Sequence, residues 1–158
     1  MKALIQRVQR GSVTIDSKVV GQIGKGFVVL FGARHGDSEE DARYLAHRTV
    51  NLRIFPDAQQ KMNLALPDVG GQVLVISQFT LYADTRKGNR PSFIGAAAPE
   101  VARKLYETYV DALRRALGAA NVATGEFGAM MLVEILNDGP VTVELDTDLL
   151  LACTPQKP

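Results

Sequence analysis

The chain has 158 residues and a mass of 17.1 kDa, a size that suits one domain around one core. Its 18 Lys and Arg nearly balance its 17 Asp and Glu, and the net charge of +1 excludes a strong overall field for nonspecific nucleic-acid binding. One cysteine, Cys153, excludes an internal disulfide and a multi-cysteine zinc site, and a count of only two histidines disfavours a histidine-based metal site. We therefore expect no metal or other cofactor, and a cytoplasmic protein without a membrane span.

The N-terminal segment predicts a strand followed by a hairpin. Apolar residues over 3–8 indicate the first strand, and residues 12–15 and 19–23 flank the turn-forming pair Asp16-Ser17. Residues 27–31 are a continuous apolar run of strand length, which favours burial on both faces and a place near the centre of a sheet.

Two helices follow from capping signals and apolar spacing. Ser38 and the acidic residues after it predict a helix over 38–51. Pro99 opens a second helix, which Gly118 ends. Between the two helices, residues 53–55 and 61–63 predict weak strands joined by a turn.

Three further strands complete the pattern. Residues 72–79 predict a second buried strand, which leads into a polar loop. Residues 129–136 and 141–145 predict two strands joined by a hairpin turn over 137–140. We expect a mixed α/β fold that is mostly strand, with a mixed sheet curled or doubled into two layers and both helices on one side. We also expect one domain over 1–158, with a tail from about residue 149.

Polar side chains at the end of the 72–79 strand predict a ligand site. Alternation sends Ser77 and Phe79 to one face, and Gln78 and Thr80 to the other. The functional interpretation is a pocket floor where main-chain N–H groups and Thr80 stabilise an oxyanion while Gln78 positions a polar group. The alternative is a strand end whose hydroxyls cap nearby backbone. A nucleophilic Ser77 or Thr80 needs a base, and only the distant His35 or His47 offers one.

Two other segments allow a functional and a structural interpretation. The loop 84–91 carries Arg86, Lys87 and Arg90 against one acidic residue, which suits phosphate contacts or simply a solvated loop. Gly139-Pro140 fits a hairpin turn, or a glycine carbonyl that the following proline fixes as a selectivity element. Phe127 and Met131 are apolar strand-type residues that suit a core, while Cys153 has no neighbour that would lower its pKa and receives no role.

Two long motifs give the chain a resemblance to a known family. The segment 77–93, SQFTLYADTRKGNRPSF, and the segment 137–142, NDGPVT, closely resemble the D-aminoacyl-tRNA deacylases. The similarity continues through residues 4–8, 53–55 and 61–63, and extends to about Leu145.

The resemblance implies an activity, an architecture and a set of roles. It implies β/β/α layers, and hydrolysis of the ester that joins a D-amino acid, or glycine, to the 3′-terminal adenosine of tRNA. It also implies a homodimer with sites at its interface, where Gly139-Pro140, cis in the family, enters the partner's pocket and rejects L side chains. The substrate's 2′-hydroxyl would assist the attacking water. By resemblance the roles fall into three groups: Ser77, Gln78, Phe79 and Thr80 at the reacting ester; Phe127 and Met131 in the adenosine pocket; and Arg86, Lys87 and Arg90 on acceptor-stem phosphates.

Two rival functions remain open at this point. One is a small-molecule esterase or amidase, which would hydrolyse free aminoacyl esters as well as charged tRNA. The other is a noncatalytic nucleic-acid-binding module that uses the basic loop, with salt-sensitive binding and no hydrolysis.

Overall fold

A computed structural model describes residues 1–152 of the chain. Its strands and helices follow one another in the order β1 (Lys2–Ile15), β2 (Lys18–Ile23), β3 (Gly26–Gly32), α1 (Glu39–Val50), β4 (Phe55–Pro56), β5 (Met62–Leu64), β6 (Gln72–Ser77), α2 (Pro99–Leu117), β7 (Val122–Thr124), β8 (Leu132–Asp146) and α3 (Thr147–Ala152). None of the helices within these residues is both long and apolar enough to cross a bilayer.

The main sheet is mixed and curls until it is nearly closed. Its order is β2-β1-β3-β6-β7, with β8 paired to β1. The pairs of β1 with β2, β3 and β8 are antiparallel, whereas β6 runs parallel to both β3 and β7. The two ends of the sheet meet where β2 approaches β7. A Cβ on Gly21 would lie 2.6 Å from the Thr124 carbonyl oxygen, so this close approach requires glycine.

Two core layers lie on opposite faces of the sheet. Phe27, Val29 and Phe31 of β3 pack with α1 and α2, and Tyr109 of α2 reaches the centre of this layer with no exposed surface. Val28 of β3 points the other way, into a second cluster inside the curl together with Leu74 and other apolar side chains. Burial on both faces explains the continuous apolar run of β3, as the sequence predicted.

The predicted fold class and both long helices are confirmed. Ser38 caps α1 in a capping box with Asp41, and Pro99 begins α2, which Gly118 ends. The weak strands expected near residues 53–55 and 61–63 are present as β4 and β5. The residues expected as a tail from 149 include the end of α3; residues 153–158, Cys153 among them, lie outside the described residues.

Several strands differ from the sequence prediction: β7 was not predicted, and β8 begins at Leu132 rather than at residue 129. The first two predicted strands are one continuous strand, β1, which pairs with β3 through its first half and with β2 through its second. Strand β6 ends at Ser77, and residues 79–82 form a 3₁₀ turn. The expected hairpin at 137–140 is wrong: β8 continues through these residues, because both of its arms pair with the same strand β1.

Candidate functional site: an apolar groove and a separate backbone corner

A groove of about 790 Å³ opens where the parallel strands β3 and β6 end. The carboxyl ends of parallel strands meet at one edge of a sheet, where ligands commonly bind. Among the predicted site residues, Ser77, Gln78, Phe79, Phe127 and Met131 line this groove together. The N-terminal turn of α2 forms another wall through Ala98, Pro99 and Ala102.

Residues 77–80 change direction at the floor of the groove. The Gln78 amide N–H donates to the Phe31 carbonyl at 2.7 Å, which fixes the end of β6 against β3. The 3₁₀ turn then begins, and its first internal bond runs from the Leu81 amide to the Gln78 carbonyl at 3.3 Å. The amides of Phe79 and Thr80 precede that bond, so they are suitable donors toward a ligand oxygen. The Gln78 side chain donates to the Thr80 hydroxyl. The predicted alternation of residues 77–80 between two faces is wrong, because the strand ends at Ser77 and Ser77, Gln78 and Phe79 all line one groove.

Aromatic side chains form two walls of the groove. Phe79 and Phe93 contact edge to face, with ring centroids 4.9 Å apart, and Phe79 remains 56% exposed. Phe127, which also lines the groove, lies 5.9 Å from the ring of Tyr106, whose hydroxyl donates to the Val75 carbonyl at 2.9 Å. Burial raises the pKa of Tyr106 to about 12, so this hydroxyl stays a neutral donor and fixes the wall.

Met131 approaches the groove floor through a gap left by a glycine. A Cβ on Gly125 would lie 2.5 Å from the Met131 sulfur, so the absence of a side chain at Gly125 makes room for the methionine in this position. A thioether beside an aromatic wall suits a flat apolar ligand such as a nucleobase.

The basic loop lies away from the groove lining and is exposed. The Arg86 guanidinium binds Asp84 through two hydrogen bonds, from Nε to Oδ1 at 2.9 Å and from Nη2 to Oδ2 at 2.7 Å, and the Arg86 amide donates to Oδ1 at 3.0 Å. These bonds hold the pKa of Asp84 at about 2. Arg86 is therefore partly neutralised within its own loop, which leaves Lys87 and Arg90 better placed than Arg86 for phosphate contacts.

Residues 137–142 form a bulged backbone corner in the middle of β8. The register passes from Thr142 opposite Gln6 to Asn137 opposite Val8, so residues 138–141 stand against Arg7 alone. The Gly139-Pro140 peptide within the corner is cis, and Gly139 has φ of 126°.

Side chains on both strands hold the corner in place. Arg7 is 8% exposed and donates from Nε to the Asp138 carbonyl at 3.2 Å, and from Nη1 to the Ile54 carbonyl at 2.6 Å. The Asn137 side chain accepts from the Val141 amide at 2.9 Å, and Gln9 donates to the Asp138 carboxylate at 2.8 Å. Three bonds from three side chains thus fix a turn-like segment inside a strand, and the bond to Ile54 anchors Arg7 itself.

The corner and the groove are far apart within one chain. Gly139 and Pro140 are exposed and do not line the groove. The corner lies opposite Arg7, which pairs with Phe27, whereas the groove begins at Phe31 on the same strand. The corner and the groove are therefore two strand spacings apart across the sheet and four residues apart along β3, which separates them by a distance on the order of 15 Å.

Sequence reasoning did not place several groove residues at the site, although it named His35 as a distant candidate base. His35 and Phe93 both line the groove, while His47 lies on the outer side of α1. His35 follows β3 as Ser77 ends β6, so the parallel pairing of these strands was the signal that would have placed it here. Within residues 1–152, no three His, Cys, Asp or Glu side chains come together as a metal site.

The nearly closed mixed sheet and its groove define a class of small α/β protein with a preformed apolar site edged by amide and hydroxyl groups. The sequence model of one family, D-Tyr-tRNA(Tyr) deacylase, matches residues 4–146. A protein of Heliobacterium modesticaldum called D-aminoacyl-tRNA deacylase is 58% identical over 146 residues, which cover 92% of this chain and 96% of that one. A protein of the same name from Dehalococcoides mccartyi is 56% identical over 147 residues, which cover 93% of this chain and 95% of that one.

A solved structure agrees with these relatives. It is called c-Myc DNA Unwinding Element Binding Protein, is 38% identical, and covers 92% of this chain and 98% of its own with a TM-score of 0.88. The chain belongs to the D-Tyr-tRNA(Tyr) deacylase family, as the two sequence motifs predicted.

Proposed function

We propose that this protein hydrolyses the ester bond of D-aminoacyl-tRNA and releases the free D-amino acid and tRNA. The observation that carries the proposal is the groove, which gathers Ser77, Gln78 and Phe79 with Phe127 and Met131 in a chain of this family. Its apolar walls suit the terminal adenine, and its polar floor suits the ester. Glycine carries no side chain to reject, so glycyl-tRNA is a substrate as well.

Hydrolysis proceeds by positioning rather than by a side-chain nucleophile. The amides of Phe79 and Thr80 donate to the oxyanion that forms when water attacks the ester carbonyl, and Gln78 orients the aminoacyl group. The vicinal 2′-hydroxyl of the substrate helps to activate the water. The Thr80 hydroxyl already accepts from Gln78, which supports a role in placing that amide.

The chiral filter is the 137–142 corner of a second copy of the chain. Within one subunit the corner is too distant from the groove to act on a ligand there, so the filter requires a homodimer with sites at its interface. Exposed apolar side chains support such an interface, because Ile94 and Met130 at the groove are 85% and 93% exposed. The main-chain carbonyls of the corner then face the substrate Cα, and an L side chain collides with them whereas a D residue presents hydrogen.

The decisive experiment compares D-tyrosyl-tRNA and L-tyrosyl-tRNA as substrates, with a free D-tyrosine ester as the third arm. We expect rapid release from the D form alone and little turnover of the free ester. Equal hydrolysis of both enantiomers contradicts the filter, and turnover of the free ester at the tRNA rate supports a small-molecule esterase instead. Size-exclusion chromatography with light scattering should give a dimer, and a monomer at assay concentration contradicts the shared site.

A second candidate function follows from the name of the 38% identical structure, which is that of a DNA-binding protein. Lys87 and Arg90 offer exposed positive charge for such a contact. Salt-sensitive binding to duplex DNA with no release of amino acid from charged tRNA would favour this candidate over the deacylase.

A further inference from the structure

Arg103 on α2 lies at the rim of the groove and contacts one of its walls. The guanidinium carbon of Arg103 is 4.8 Å from the ring centroid of Phe127, within the range of a cation–π contact. Phe127 and Ala102, the neighbour of Arg103 on the helix, both line the groove. Arg103 itself is exposed, so its N–H groups are accessible at the groove entrance.

The ring beneath Arg103 is held in place. Phe127 packs against Tyr106, which is 6% exposed and whose hydroxyl binds the Val75 carbonyl at 2.9 Å. A guanidinium that rests on a fixed ring loses less freedom on binding an anion than an arginine in open solvent. A guanidinium that stacks on an aromatic ring keeps its N–H groups free to donate.

Three other cations of the two long helices are paired with carboxylates. Arg43 and Lys104 both bind Glu39, at 2.6 and 2.7 Å, and Arg114 lies 3.7 Å from Asp111. Among residues 1–152, no Asp or Glu oxygen comes within 4.0 Å of the Arg103 guanidinium. Arg103 is thus a positioned cation whose charge is available to a ligand.

We propose that Arg103 binds the phosphodiester that joins the terminal adenosine of tRNA to the nucleotide before it. This inference rests on the proposed function, in which the adenine occupies the groove beside Phe127. A bound terminal adenosine presents one phosphate on its 5′ side, and the planar guanidinium can donate two hydrogen bonds to it. Arg103 is then a positioning residue that distinguishes an RNA end from a simple aminoacyl nucleoside.

Two small substrates isolate this contact. The D-tyrosyl ester of adenosine has no phosphate, whereas the D-tyrosyl ester of the dinucleotide CpA has one phosphodiester at the proposed place. Arg103→Ala should lower kcat/KM on the dinucleotide about tenfold more than on the nucleoside, mainly through KM. Arg103→Lys keeps the charge without the planar guanidinium, so its loss of kcat/KM on the dinucleotide should lie between those of wild type and Arg103→Ala. With charged tRNA, the slope of log KM against log salt should drop by about 0.7, the value for one single-strand phosphate contact.

Arg115→Ala is the matched control. It removes the same exposed charge from the same helix, about 18 Å away along its axis. This variant should keep the wild-type ratio of the two substrates.

The outcomes separate the phosphate contact from a supporting role. Equal loss on both substrates, reproduced by Phe127→Leu, means that Arg103 only supports the aromatic wall and overturns the inference. An unchanged substrate ratio in Arg103→Ala overturns it as well. Wild-type protein that hydrolyses neither ester nor charged tRNA overturns the proposed function itself, whereas wild-type hydrolysis without an Arg103-dependent difference overturns the phosphate contact alone.

Discussion

Replacing Gly139 with alanine is the sharpest perturbation of the proposed chiral filter. An added Cβ would lie 2.7 Å from Val141 Cγ2, 2.9 Å from the Val141 nitrogen and 3.1 Å from Arg7 Nη2. Ordinary contact begins at 3.4 Å, so the corner must move by about 3.4 − 2.7 = 0.7 Å. Val141 is part of the strand and Arg7 is nearly buried, so the neighbours yield little and the displacement falls on the corner carbonyls.

The displacement gives an expected loss of selectivity. A misplacement of about 1 Å at a reacting centre commonly costs about 100-fold, so a shift of this size should lower the D-over-L ratio of kcat/KM roughly 10- to 100-fold. An alanine at φ of 126° also costs about 1–3 kcal/mol in backbone conformation, so Gly139→Ala should be less stable but folded. The assay is release of tyrosine from D- and L-tyrosyl-tRNA at a temperature where circular dichroism shows the variant folded.

Gly88→Ala is the control for the backbone effect alone. Gly88 has nearly the same φ, 125°, but no atom within 4 Å of an added Cβ. It lies in the basic loop, so any loss of tRNA affinity should affect both enantiomers equally and leave their ratio unchanged. If Gly139→Ala keeps the wild-type ratio, or loses activity on both substrates in equal proportion, the corner is not the filter.

Three further predictions follow from the site and the core. Thr80→Ala should keep kcat within about tenfold of wild type, because no step passes through its hydroxyl; complete loss with an intact fold and unchanged tRNA binding would show a nucleophile. Lys87→Ala combined with Arg90→Ala should weaken tRNA binding and lower the slope of log Kd against log salt by about 2, or about 1 for each residue. Arg86→Ala should lower the same slope by less than about 1, because Arg86 is already paired with Asp84; a drop of about 1 in a filter-binding titration would contradict that pairing. Burial raises the pKa of Tyr109 above its usual 10. Above pH 10 the unfolded state therefore loses this proton first, and the free energy of unfolding should fall by about 1.4 kcal/mol per pH unit for this group. Tyr109→Phe should reduce that slope in urea titrations, and an unchanged slope would contradict it.

Local chemistry was sufficient to predict the two long helices and the buried strands β3 and β6, but not β7 or α3. Ser38 and Pro99 mark helix starts through their own backbone and side-chain preferences, which need no distant partner. The apolar run 27–31 indicates burial on both faces because nothing polar interrupts it.

The features that the sequence did not predict depend on pairing between strands that are distant in the chain. The segment 137–140 has the composition of a hairpin turn, yet β8 continues because β1 supplies partners on both sides of the bulge. Turn residues report only local backbone preference, so they cannot distinguish a reversal from a bulge. His35 and Phe93 join the groove only after β3 and β6 pair in parallel, and their sequence neighbours give no sign of it.

The site motifs themselves were visible in the sequence. Ser77, Gln78 and Phe79 lie at the end of a buried strand. The structure brings them together with Phe127 and Met131, which follow α2 in the sequence and lie between β7 and β8. That the corner lies apart from them in a single chain was not visible, because separation across a sheet depends on strand order.

Subunit mixing tests most directly whether the corner of one copy filters substrates in the groove of another. One partner carries Gly139→Ala with an intact groove, and the other carries Ala98→Trp, whose indole fills the groove, with an intact corner. Alone, the first should hydrolyse both enantiomers and the second should be inactive. In the purified heterodimer, the intact corner faces the intact groove, so D-over-L selectivity should return to the wild-type value. A heterodimer that stays as unselective as Gly139→Ala alone would contradict a filter that acts across the interface.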